Sequence, residues 1–184
     1  MEHTFHFNNT MARTGIYMAL RSLIKHQNVP PVILCIGSDL AVGDSLGPIV
    51  GTMLSTGGRF RGYVYGTLRN PVTAKEAKYL AEFLKKTHPH GDIVAIDAAV
   101  GEEEDVGLLK VLHGSVRPGA GANKRLPKVG DISILGIVAK KSPLSYPLFH
   151  LTRLGCVYAM ADIIAGAISD YSSELIVNSS QNCG

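Results

Sequence analysis

The chain has 184 residues, 46% hydrophobic and 18% charged, a balance that fits one globular core and excludes a disordered chain. Its formal net charge of +3 is too small for a nucleic-acid-binding stripe. Three cysteines without a CxxC pair exclude a disulfide framework and a thiolate zinc site, and they suit a reducing compartment.

Residues 1–9 are polar and are expected to be loose, and they lack the basic-then-apolar order of a signal peptide. Over 10–27, Ile16, Leu20, Leu23 and Ile24 recur at helical spacing, and Pro30-Pro31 closes that helix. The run 32–36, Val-Ile-Leu-Cys-Ile, suits a parallel strand buried on both faces. It empties into a glycine-punctuated loop, 37–48, after which Leu46, Ile49, Val50, Met53 and Leu54 mark a second helix. Residues 63–65 read as a strand. Thr73 and Glu76 form a capping-box pattern that opens a third helix with Leu80, Phe83 and Leu84. Residues 92–97 form another buried strand, ending in the carboxylate of Asp97. Two further strands follow at 108–112 and 132–139, separated by a glycine-rich basic loop at 117–130. A helix over about 146–169 closes the domain, and the polar tail 172–184 is expected to fray. The greasy region 144–168 is interrupted by His150, Arg153 and Asp162, so it does not read as a membrane span. The whole chain, 1–184, reads as a single cytoplasmic domain with an ordered core over about 10–170. Strands alternating with helices imply an α/β sheet layered by helices.

Asp44 and Asp97 are the leading candidates for chemistry. Each follows a buried strand, and open α/β sheets bind ligands outside the carboxyl ends of their strands. Two carboxylates in one cleft can share a proton, dividing base and acid roles around a water. The competing reading makes Asp44 a helix cap and Asp97 a loop ligand. The loop 37–48 matches neither the dinucleotide fingerprint nor the Walker A pattern, and no G-x-S-x-G elbow occurs. Cys35, inside a strand, reads as a small buried hydrophobe. In the segment 118–125, Gly119 and Gly121 free backbone N–H groups and Asn123 and Lys124 add donors. Such a loop can hold a carbonyl or an oxyanion, or simply be a solvated surface loop. No cofactor is expected. If a metal were bound, its ligands would be Asp44, Asp97 and His113.

Taken together, the stretch 35–51, the Ile96-Asp97-Ala98-Ala99 strand end and the Pro118–Arg125 segment resemble the sporulation proteins of the YyaC type. These are similar to the germination protease of bacterial spores and, more distantly, to the hydrogenase maturation endopeptidases. The resemblance spans about residues 31–168. It implies a three-layer α/β/α sandwich with a mostly parallel, phosphorylase/hydrolase-like sheet. It also implies that Asp44 and Asp97 are the aspartates that hydrolyse a protein or peptide substrate, of the small acid-soluble spore protein class. Asn123 and Lys124 match the protease's third motif, whereas Gly43 stands where a proline is expected. The chain is also much shorter than that protease. The maturation-type alternative is a metal-dependent peptidase, and a third is a non-catalytic peptide-binding regulator of sporulation. Neither a nucleic acid nor a membrane is an expected partner. A homo-oligomer covering the apolar positions of the last helix stays open.

Overall fold

A computed structural model of the chain describes residues 2–115, 129–142 and 151–181, with side chains described through 175. The strands are β1 (Glu2–His6), β2 (Val32–Cys35), β3 (Tyr63–Tyr65), β4 (Ile93–Gly101), β5 (Leu108–His113) and β6 (Ile132–Lys140). The helices are α1 (Ala12–Leu23), α2 (Leu46–Thr56), α3 (Ala74–Thr87) and α4 (Leu154–Gln181).

One six-stranded sheet runs in the order β1-β5-β6-β4-β2-β3. The β3-β2-β4-β6 half is parallel, whereas β5 and β1 are added antiparallel. The sheet is therefore mixed, with an antiparallel flank beside the expected parallel core. The reason lies in the connections. Only short turns join β4 to β5, and a hairpin-length link cannot carry the chain back to make a parallel pair.

Alternation along the strands builds two cores. Ile33, Cys35, Val94, Ile96, Ile132 and Ile134 face α1, α2 and α4. Val32, Leu34, Ile36, Ile93 and Ala95 face Ala77, Ala81 and Leu84 of α3. Helices on both faces of one sheet make the three layers of an α/β/α fold.

Three expectations are corrected. Residues 2–6 are not loose: β1 pairs antiparallel with β5, and Phe5 packs on α1 at Gly15, where any side chain would collide with its ring. The strand at 92–97 does not end at Asp97; β4 continues to Gly101, with a register shift between Ala99 and Val100. The polar residues after 171 do not simply fray. Helix α4 runs to Gln181, and the fully buried Ser172 hydroxyl bonds both the N–H and the C=O of Arg61. Residues 143–150 lie outside the described residues; the described helix starts at Leu154.

Within α4, Leu154–Leu175 is long and apolar enough to cross a membrane by length and composition alone. It packs as a core helix here. Val157, Met160, Ala161, Ile164, Ala167 and Ile168 are all buried, against neighbours that include α1 and α2.

Candidate active site at the carboxyl ends of β2 and β4

The strand order creates the place for a site. From β2 the chain passes through α2 on one face to β3, then returns through α3 on the other face to β4. The switch point falls between β2 and β4, where open α/β sheets bind their ligands.

Asp97 sits at that point. β2 ends at Cys35, opposite Ile96, and the Ile36 N–H still bonds the Ile96 carbonyl at 2.8 Å. Beyond that level β2 has turned away while β4 continues. Asp97 is 4% exposed and is the only carboxylate in the strand IVAIDAAVG. Alternation places it with Ile93 and Ala95 on the α3 face. Its Oδ1 accepts a 2.9 Å hydrogen bond from the Ala98 N–H. Burying a carboxylate in an apolar strand costs several kcal/mol unless hydrogen bonds or a ligand compensate.

Asp44 reaches the same place through its backbone. It lies in a 3-10 turn, Gly43–Ser45, that opens α2 and packs against β4. The Asp44 carbonyl accepts the Ser38 N–H at 3.0 Å, and the Gly37 N–H bonds the Val72 carbonyl at 2.9 Å. Gly37 has φ +142°, and a Cβ there would strike the Asp44 carbonyl oxygen. The loop can close over β2 only because this residue is glycine. Asp44 is half-buried, one residue before Ser45, the N-cap of α2.

Gly119, Gly121, Asn123 and Lys124 lie outside the described residues. The ends of their loop are described, and they lie at the amino end of the parallel strands, where Gly114, Ser115, Gly130 and Asp131 line one cavity. On the outgoing side, Ser133 Oγ bonds the Gly114 carbonyl at 2.6 Å. On the return, Val129 is buried in the α3-side core and Gly130 crosses β4, where its Cβ would stand 2.8 Å from that of Ala95. Ala95 is two residues before Asp97 on the same face. The chain thus returns to the sheet on its α3 face, beside the start of β4.

His113 is not brought to the aspartates. It ends β5 opposite Ile132, which lies beside Val94, three residues before Asp97. That is about 10 Å along β4 and about 10 Å across two strands, beyond the reach of one shared ion. The antiparallel course of β5 carries its last residue to the amino end of the parallel strands. Among the described residues no three His, Cys, Asp or Glu side chains are grouped to hold a metal.

His113 instead lines a cavity of about 600 Å³ at the amino end, with His26, His88, Lys85, Asp92 and Asp131. Asp92 is buried and accepts the N–H groups of Lys25 and His26, both at 2.8 Å, and the His26 Nδ1 contact at 3.2 Å. His88 Nε2 lies 2.9 Å from the Tyr65 hydroxyl. Sequence spacing gives no signal for this cluster, because its members come from the ends of α1, α3 and β5 and the starts of β4 and β6. Cys35 is fully buried, and burial pushes its thiol well above the ordinary range, as fits a hydrophobe and not a nucleophile.

Comparison with known proteins covers both aspartates. A family model described as "Protein of unknown function (DUF1256)" matches residues 4–167, from β1 into α4. A curated relative, "Uncharacterized protein YyaC" of Bacillus subtilis (strain 168), is 40% identical over 148 residues, covering 80% of this chain and 72% of the relative.

Proposed function

The chain belongs to the DUF1256 family, and from that premise we propose that it is a sporulation-associated endopeptidase using Asp44 and Asp97 as an acid/base pair. The observation that carries the reading is Asp97 itself. It is a buried carboxylate in an otherwise apolar strand, at the switch point of the sheet, with the Asp44 turn bonded to the adjoining loop. The resemblance of both motifs to the germination protease supplies the chemistry.

In this mechanism a water lies between the two carboxylates. One takes a proton from the water as its oxygen attacks the peptide carbonyl. The other, protonated, gives its proton to the leaving amine. The N–H groups of Gly119 and Gly121, with Asn123 and Lys124, stabilise the oxyanion. This role rests on the resemblance of their segment to the third motif of the germination protease. The substrate is a small spore protein, bound without a cofactor.

Mass spectrometry of a small acid-soluble spore protein incubated with the chain tests the reading. Defined fragments are expected with wild type, and an intact substrate with Asp44→Asn or Asp97→Asn. Each substitution is expected to lower the rate by at least about a hundredfold, the usual scale for a proton-transfer group. Equal fragments from wild type and both variants, or none from wild type, would overturn it.

A further inference from the structure

Helix α3 starts beside the candidate site, since Val72, just before its Thr73 cap, bonds Gly37. From there it runs down the face of the sheet that carries Asp97. Ala77, Ala81 and Leu84 hold it to the sheet. At 100° per residue, Lys75, Tyr79, Glu82 and Lys86 then form its outer face, with Phe83 along one side and Lys78 and Lys85 along the other. Tyr79 is 69% exposed and Phe83 54%. Two aromatic rings one turn apart in water are a larger apolar outlay than a solvated helix face needs.

The charge around them is mainly positive, with Glu82 the one acid on the outer face. α3 carries four lysines, and among the described residues none of them joins a salt bridge. Of its two acids, Glu76 is locked in the capping box by Thr73. Lys85 continues the track into the amino-end cavity that holds His26, His88 and His113. Lysines 85 and 86 also suit the negative end of the helix dipole, and Lys78 Nζ lies 5.5 Å from the Tyr79 ring centre, but neither contact accounts for Lys75 or Phe83.

We propose that the outer face of α3 is a docking track for an acidic segment, bearing apolar side chains, of a partner polypeptide. The inference deepens the endopeptidase reading: the docked segment belongs to the chain whose bond is presented at Asp97. Carboxylates meet the lysines, and apolar side chains cover Tyr79 and Phe83. A nucleic acid fits less well, because α3 has no arginine for bidentate base or phosphate contacts.

The test measures binding apart from turnover. A fluorescent Glu/Leu peptide long enough to span α3 is titrated with the full chain by anisotropy, alongside a Lys/Leu peptide and a thymidine oligonucleotide. The Glu/Leu peptide alone is expected to bind, more weakly as salt rises. Lys75→Glu/Lys86→Glu should weaken it at least about tenfold and flatten the salt dependence. Tyr79→Ser/Phe83→Ser should weaken it about tenfold with the salt dependence retained. Both pairs are exposed, so the melting temperature should stay within a few degrees. Unchanged affinity in both variants, no binding by wild type at low salt, or tighter binding of the oligonucleotide would overturn the proposal. Binding without cleavage of the spore protein would count against the endopeptidase reading alone. Cleavage without peptide binding would count against the track alone.

Discussion

Gly37 and Tyr171 show how single residues are constrained by what surrounds them. Gly37→Ala forces a left-handed residue against the Asp44 carbonyl, and is expected to destabilise by at least about 2 kcal/mol in urea unfolding. It should also displace Asp44, so spore-protein cleavage should fall further than the loss of folded protein explains. Tyr171 is the opposite case. Its ring is buried in the core, its hydroxyl has no hydrogen-bond partner among the described residues, and burial pushes its pKa up to about 12. Tyr171→Phe removes that unsatisfied group. Stability should therefore hold or rise by up to about 1 kcal/mol, read from the same urea curves. The place of Asp97 was legible in the sequence because it directly follows the apolar run 93–96; Asp44 lies eight residues beyond Ile36 and was placed by its glycine-punctuated loop. The position of His113 was not. Nothing local to Leu108–His113 says that the strand runs backwards, and its direction decides which end of the sheet the imidazole meets.

Among the elements, α3 was the most legible, since its signals are local. Thr73 and Glu76 close the expected capping box, with Glu76 Oε2 accepting the Thr73 N–H at 2.9 Å and its hydroxyl at 2.7 Å. Those bonds hold the Glu76 carboxyl below the usual Glu range. A depressed carboxyl stabilises above its unfolded pKa of about 4.3, and the contribution fades as pH falls through the lower folded value. Thr73→Ala should cost about 1 kcal/mol at neutral pH and less at pH 3, read from thermal melts at both. The α1–α4 contact was not legible, because it joins residues far apart in the chain. Arg13 grips Asp170 through two bonds of 2.7 Å, and this pairing holds the Asp170 carboxyl below its ordinary range. Side-chain exposures of 42% and 34% limit its worth through solvent screening. A double-mutant cycle of Arg13→Met and Asp170→Leu should give a coupling of about 1 kcal/mol or less. β1 escaped notice for a related reason: its four polar residues make sense only beside β5, with Phe5 over Gly15.

At the scale of the whole molecule, the strand–helix alternation made the layered α/β class readable. The mixed sheet was not readable, since it depends on which edges β5 and β1 choose. The two poles of that sheet divide the chemistry. One holds Asp44 and Asp97, the other the histidine-lined cavity, and α3 spans the face between them. Sheet order also governs how the chain is made. Glu2 pairs with Leu112 and His6 with Leu108. A ribosome delivers the amino terminus first, but β1 has no partner strand until β5 has emerged. Until then Phe5 and Phe7, which pack on the core of the finished fold, have no completed sheet edge to join. β1, made before β5, is thus among the last of the described strands able to zip into place. During that interval the growing chain depends on its parallel half, β2, β3 and β4, to stay compact.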